Sequence, residues 1–411
     1  MVKNLKATYP KISDLNAPLN YPDISGKTPL DTRNNLKFLL DLHNITVRWN
    51  IMLRRREISI PNVSHFVDEK ENADLAHVYH LATINNMPNS RLDKHLDSLG
   101  WMNSYHPVRE CILNNPWDKK SRLDKFIAAI KTKNEEFSYT IIRRWMFAAI
   151  AAAFSEKGFA CQGVLVLQGD QYIGKTKWVK LLSPVGSEAV KEGLILDPNN
   201  KDSVITASQC WIGELGELDG TFRKSDIARI KSYITSDVDI VRLPYNARNS
   251  YLSRRTVFVA TVNETKFLVD DTGNRRWWTI EVESIDFNHG LDIQQVWAEV
   301  FEIWKSENEH TWLSSDEMNA LNKINEDHEQ IDPFEEKVLE LFNFEDPEWR
   351  KKPTLKMTTT QVLDKIGYNK PTRSDATRMG KILIKLTGIK PKKSGDRFHI
   401  LPLINTNFIN H

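Results

Sequence analysis

The octapeptide Gly169-Asp170-Gln171-Tyr172-Ile173-Gly174-Lys175-Thr176 constrains this chain more than any other stretch. It fits GxxxxGK[ST] and lies between an apolar run at 163–168, GVLVLQ, and a segment of helical character, TKWVKLL. A strand feeding a glycine-rich turn that opens a helix commits its surroundings to an α/β layer on a largely parallel sheet. The glycines permit a tight turn, whose amides together with the helix N-terminus can hold phosphate oxygens. All eight residues are therefore candidate nucleotide ligands. Lys175 would be a point charge for the β and γ phosphates and Thr176 a ligand of Mg²⁺, so ATP and Mg²⁺ are the expected cofactors.

Hydrolysis needs carboxylates from another strand. The run CWIGEL at 210–215 reaches Glu214, with Glu217 three residues later. On a strand adjacent to the loop's own, Glu214 is expected on the metal and Glu217 as the base, although the two roles are interchangeable on sequence alone. A third apolar run, TVFVATV at 256–262, ends before Asn263, which is placed to orient the attacking water. Arg275 and Arg276 close a polar turn ahead of Trp277 and Trp278. A guanidinium suits the charge that develops on a transferring phosphoryl group. Arg276 is the preferred finger, acting in trans where subunits meet; pairing with carboxylates or stacking on the tryptophans is the alternative.

Ahead of the third run, DVDIVRLPYNARNSYLSRR reads as two short strands about a turn at 244–249. Arg242, Tyr245 and Arg248, assisted by Lys231 on the preceding helix, are suited to single-stranded DNA, because cations neutralise phosphates and an aromatic face stacks on bases. An ordinary surface hairpin is the alternative.

At 411 residues, 40% hydrophobic and 27% charged, the chain has room for two to four folded domains. Its net charge of +2 conceals segregation: residues 281–350 carry 20 acidic and 4 basic side chains, and 351–411 carry 13 basic and 3 acidic. We expect a mixed α/β module over 1–135, an α/β nucleotide-binding domain over 136–290, an acidic helical segment over 291–349 and a basic winged-helix-like domain over 350–411. In the first module DTRNNLKFLLDL has helical spacing, ITVRWNIML alternates like a strand, and Arg54, Arg55 and Arg56 read as a solvated strand end. In the last, Thr358-x-x-Gln361 fits a capping box. There Arg373, Arg378, Lys381 and Lys385 would face phosphates while Met379, Ile382, Leu383 and Leu386 pack inward; DNA and protein both remain possible partners. Three dispersed cysteines, no run of about 20 apolar residues and no apolar signal core make a cytoplasmic protein without membrane contact the expectation.

The set GDQYIGKT, WIGELGELD, VRLPYNARNSYLSRRTVFVATVNE and DDTGNRRWW resembles the virulence-associated E family of phages and mobile elements, itself similar to superfamily 3 helicases of the AAA+ type. The likeness covers about 140–285, and HPVRECILNNPWDKKSRLDKFI looks like the family's lead-in. It implies a P-loop AAA+ core forming a hexameric ring, an ATPase acting on single-stranded DNA during replication, with host or element-encoded replication proteins as partners. It carries over Lys175 and Thr176 as nucleotide ligands, a glutamate of 214 and 217 as the acid, Asn263 as the sensor, Arg276 as the finger and the hairpin as a pore element. The acids stand three apart rather than side by side, which leaves their division of labour open. The competing class is an initiator or helicase loader that uses ATP to assemble without unwinding. A guanine-reading NKxD motif is absent, against a signalling GTPase, and no zinc cluster points to a primase.

Overall fold

A computed structural model describes residues 19–63, 69–216, 224–242, 249–268, 274–307, 309–344, 346–394 and 396–404. The chain divides into two compact units, Met1–His328 and Glu329–His411.

In the first unit β1 (Ile24–Ser25) and β2 (Thr28–Pro29) pair antiparallel. The Thr32 hydroxyl accepts from the Asn35 amide and starts α1 (Arg33–Leu42), where Leu36, Leu39 and Leu40 share the buried face. β3 (Thr46–Asn50) and β4 (Arg55–Ser59) pair antiparallel, α2 (Lys70–Ile84) and α3 (Leu92–Met102) pack on them, and β5 (Ser104–Tyr105) joins parallel to β3. Leu36, Val47, Val78 and Leu96 belong to one core here. The basic run is not a solvated strand end. Arg54 donates to the Ser208 and Ser253 carbonyls, Arg55 pairs with Glu71 and Glu188, and Arg56 pairs with Asp93 and Asp97. Partners so remote in sequence leave no local signature.

A second core begins with α4 (Pro107–Asn114), α5 (Leu123–Ala128), β6 (Ile130–Thr132) and α6 (Glu135–Phe154), since Val108, Leu123 and Phe126 pack with the main sheet. The lead-in thus joins the sheet ahead of residue 136. Asn134 caps α6, and Glu135 and Glu136 complement its N-terminal dipole. This helix is buried along most of its length, with the Trp145 indole donating to the Phe258 carbonyl at 2.8 Å.

The chain continues through β7 (Val164–Gln168), α7 (Lys175–Leu181), β8 (Val190–Leu194), α8 (Lys201–Ala207), β9 (Ile212–Leu215), α9 (Lys224–Ile234), β10 (Val238–Val241), β11 (Ser250–Ser253), β12 (Val257–Val262) and β13 (Trp277–Ile285). The main sheet has the order β6-β13-β7-β12-β9-β8, parallel throughout except for β6. Continuous apolar runs in β7 and β12 suit strands covered on both faces. β8, with sequence VKEGL, has no such run because it lies at the sheet's edge with only its ends buried. β10 and β11 form a separate antiparallel pair.

α10 (Ile293–Glu307) packs on α6 and α4, and α11 (Ser315–His328) packs on β13. Glu299 of α10 is buried yet satisfied, accepting from the Ser121 hydroxyl and the amides of Arg122 and Leu123 at the start of α5. Most of the acidic segment therefore belongs to the first unit. The second unit comprises α12 (Pro333–Leu341), β14 (Leu355–Met357), α13 (Thr359–Lys365), α14 (Arg373–Thr387), β15 (Lys392–Ser394) and β16 (Asp396–Leu401). Its antiparallel sheet has the order β14-β16-β15. The Thr358–Gln361 capping box forms, and Thr372 with Asp375 makes another. Phe334, Val338 and Leu341 share a core with Met379, Ile382 and Leu383. The unit accordingly begins ahead of the charge reversal near 350, because charge marks surfaces whereas apolar faces set the division. Among the described residues no helix is long and apolar enough to cross a membrane.

Candidate functional site

Beyond Gln168 the chain turns through positive φ at Tyr172 (66°) and Gly174 (100°) before α7 begins. Space as well as conformation requires glycine at 174, where a Cβ would stand 2.6 Å from Phe287 Cδ1. Lys175 is 6% exposed. Its ammonium donates to the carbonyl oxygens of Gly169 and, at 2.8 Å, Asp170, and to Asn263 Oδ1 at 3.0 Å. The loop thus wraps the lysine in oxygen atoms, positions that an anion's oxygens can take over. Tyr172, in the same loop, is 99% exposed.

Glu214 of β9 is 3% exposed, and its Oε1 accepts from the Thr176 hydroxyl at 3.1 Å and the Thr261 hydroxyl at 2.9 Å. Burial pushes its pKa up, which the two hydroxyls oppose. Among the described residues no cation pairs with it. A desolvated carboxylate sharing an oxygen with a threonine hydroxyl is a donor set that fits a hard cation such as Mg²⁺. The acid does not come from a strand next to the loop's: β12 lies between, with Val259 opposite Glu214 and Val262 opposite Gln168. That intervening strand supplies Thr261 and, just past its end, Asn263, two residues apart and so on one face. Thr261 was not among the expected site residues; its spacing from Asn263 was the available signal. Glu217 lies outside the described residues.

Arg275 and Arg276 precede β13, whose Trp277 lies opposite Val164 at the start of β7. Lys175 lies past the other end of β7, so roughly 13 Å of strand separates the arginines from the loop within one chain. Arg276 is partly buried, and that burial, with Arg275 beside it, lowers its pKa.

The β10–β11 pair is anchored by Arg254, which is fully buried. It forks onto Asp239, donates to the Tyr233 carbonyl, and holds its guanidinium 3.8 Å from the Tyr233 ring centre. Arg242 is exposed at the end of β10. Tyr245 and Arg248 lie outside the described residues. Lys231, expected to assist at the surface, is instead 5% exposed, because it falls on the inner face of α9 beside Ile230 and Ile234.

In the second unit Met379, Ile382 and Leu383 are buried and Leu386 packs against them. Arg373 and Lys381 are exposed. Arg378 instead forks onto Asp332 at 2.5 and 2.7 Å, and Lys385 lies 3.0 Å from Glu335. Two of the four expected phosphate contacts are thus already engaged by acids at the start of α12.

The family model for the virulence-associated protein E-like domain matches residues 110–330, more than half of the chain. The chain belongs to this family. The matched region takes in the phosphate-loop sequence, Glu214, Asn263 and both arginines, together with the lead-in helices that share their core. No curated protein is significantly similar to the chain. Among solved structures, the apo structure of the NrS-1 C-terminal region (305–718) is similar at 13% identity and a TM-score of 0.46, over 90% of this chain and 98% of that one. An A-form apo structure of that region gives 12% identity and a TM-score of 0.46 over the same shares.

Proposed function

We propose that this family member is an ATP-driven DNA translocase or helicase serving replication of a phage or mobile element, with a P-loop AAA+ core assembled as a ring. The observation that carries the reading is the convergence of Lys175, Thr176, Glu214, Thr261 and Asn263 at one end of a parallel sheet. On this reading Lys175 exchanges its carbonyl contacts for the β and γ phosphates. Thr176 and Glu214 hold Mg²⁺, which supplies charge neutralisation for the phosphoryl group when bound. Glu217 accepts the proton of the attacking water, and Asn263, on the strand between loop and acid, orients that water. Arg276 reaches the γ phosphate of a neighbouring copy, since its own loop lies at the opposite end of β7. The β10–β11 hairpin, with Arg242, Tyr245 and Arg248, grips the single strand. The second unit, winged-helix-like, adds Arg373 and Lys381 as phosphate contacts.

Strand displacement on a forked duplex tests the proposal. With ATP and Mg²⁺ the wild-type chain should release the displaced strand and show turnover raised by single-stranded DNA. Turnover stimulated by DNA without displacement would assign the chain to initiators or loaders.

A further inference from the structure

The partly buried arginine opens onto a cavity that the proposed reaction does not explain. About 440 Å³ in volume, it is walled by Arg275, Arg276, Trp278, Trp312, Leu313 and Met318, among others. Two N–H groups of the lining residues, Nε of Arg276 and the indole N–H of Trp278, have no hydrogen-bond partner among the described residues, but both are buried, the indole nitrogen against Gly163. Trp312 is 51% exposed, its ring stacked at 4.4 Å on His310, and leaves apolar surface in the open. A cavity with aromatic and thioether walls and two cations suits an aromatic group that carries an acceptor oxygen.

The chain itself presents such a group. Tyr172 stands 99% exposed in the phosphate loop, at a positive φ that glycine would adopt without strain and that costs a tyrosine on the order of 1 kcal/mol. Among the described residues the ring packs on nothing that would account for a tyrosine there. Loop and cavity lie at opposite ends of β7, so a single chain cannot bring them together, whereas two copies stacked head to tail can.

We propose that Tyr172 of one copy seats in the Trp278–Trp312–Met318 cavity of the next, its phenol oxygen accepting from the exposed Arg275 guanidinium at the cavity wall. The seat fixes the register at which Arg276 meets the neighbour's loop; in that respect it rests on the proposed function above. Each copy carries one knob and one socket, so the contact propagates into a ring or a filament.

Cysteine pairing tests the seat directly. In the full chain with Cys111→Ser, Gln171→Cys beside the knob and Gln162→Cys at the cavity wall are introduced together and singly, with Tyr172 and Met318 kept, and a short bis-maleimide is added with and without Mg²⁺-ATP. The double variant should form a ladder of covalent dimers and higher species, and each single variant at least about tenfold less. Absence of the ladder in the double variant, in both conditions, overturns the seat. Trp312→Ala in the otherwise unaltered chain should raise the concentration for half-association about tenfold, and an unchanged value also counts against it. ATP binding by the unaltered chain is measured in parallel. Its absence would remove the functional reading, while the ladder and the Trp312→Ala association decide the seat.

Discussion

His106 shows how burial of one side chain becomes a property of the whole molecule. It caps α4, its Nδ1 accepting from the Arg109 amide at 3.5 Å, and it is 2% exposed. Burial, with Arg255 and Arg109 nearby, lowers its pKa to about 3. The unfolded chain binds this proton near the ordinary value of about 6.5. The neutral ring's contribution to stability is therefore complete above pH 6.5 and is lost as the pH falls towards 3, at about 1.4 kcal/mol per pH unit. Acidifying from pH 7 to 5 should cost about 2 kcal/mol through this group. His106→Asn keeps a capping oxygen and should remove that part of the loss, which urea midpoints at the two pH values would report. Equal acid sensitivity in the variant would contradict the assignment. Lys175 and Glu214 are buried for a different reason, since the oxygens around each belong to a site that an anion and a cation can enter. Their residue types and spacing made both legible in the sequence. Thr261 was not, because a hydroxyl on a strand has many ordinary uses.

At the scale of elements, local patterns identified the strands that carry the site and missed those that frame it. β7, β9 and β12 show as apolar runs because they are covered on both faces, and α6 and α10 show as periodic helices. β8 and β6 are edge strands, short and partly exposed, and leave no apolar run; the order of the sheet, which puts β12 between Glu214 and the loop, could not be read from spacing. The hairpin was legible from its turn residues, but its anchor was not. Arg254 and Asp239 are fifteen positions apart, and the sequence does not distinguish a buried pair from a solvated one. Asp239→Ala leaves the Arg254 guanidinium buried without its carboxylate and should cost about 3–5 kcal/mol, read as a lower denaturant midpoint. Arg254→Met with Asp239→Leu should recover most of that loss. A single variant as stable as the wild type would mean that the pair does not hold the hairpin.

For the whole molecule, the charge reversal near 350 indicated a second unit but misplaced its start, because α12 contributes apolar side chains to the C-terminal core while its acids are either exposed, as Glu336 and Glu340 are, or paired with α14, as Glu335 is. A chain ending at His328 should retain a cooperative melting transition. One ending at Arg350 strands Phe334, Val338 and Leu341 in water, each worth about 1.5–3 kcal/mol of lost burial, and should aggregate on heating. If the two truncations behave alike under light scattering, the division after His328 is not a folding boundary. The claim on which the function depends is narrower: that the loop from Gly169 to Thr176 holds a nucleotide's phosphates through Lys175. Calorimetry with Mg²⁺-ATP on the wild type and on Lys175→Ala tests it most directly. The account predicts saturable one-site binding by the wild type and affinity at least about tenfold weaker in the variant at unchanged circular dichroism; a wild type that does not bind, or a variant that binds equally well, would contradict it.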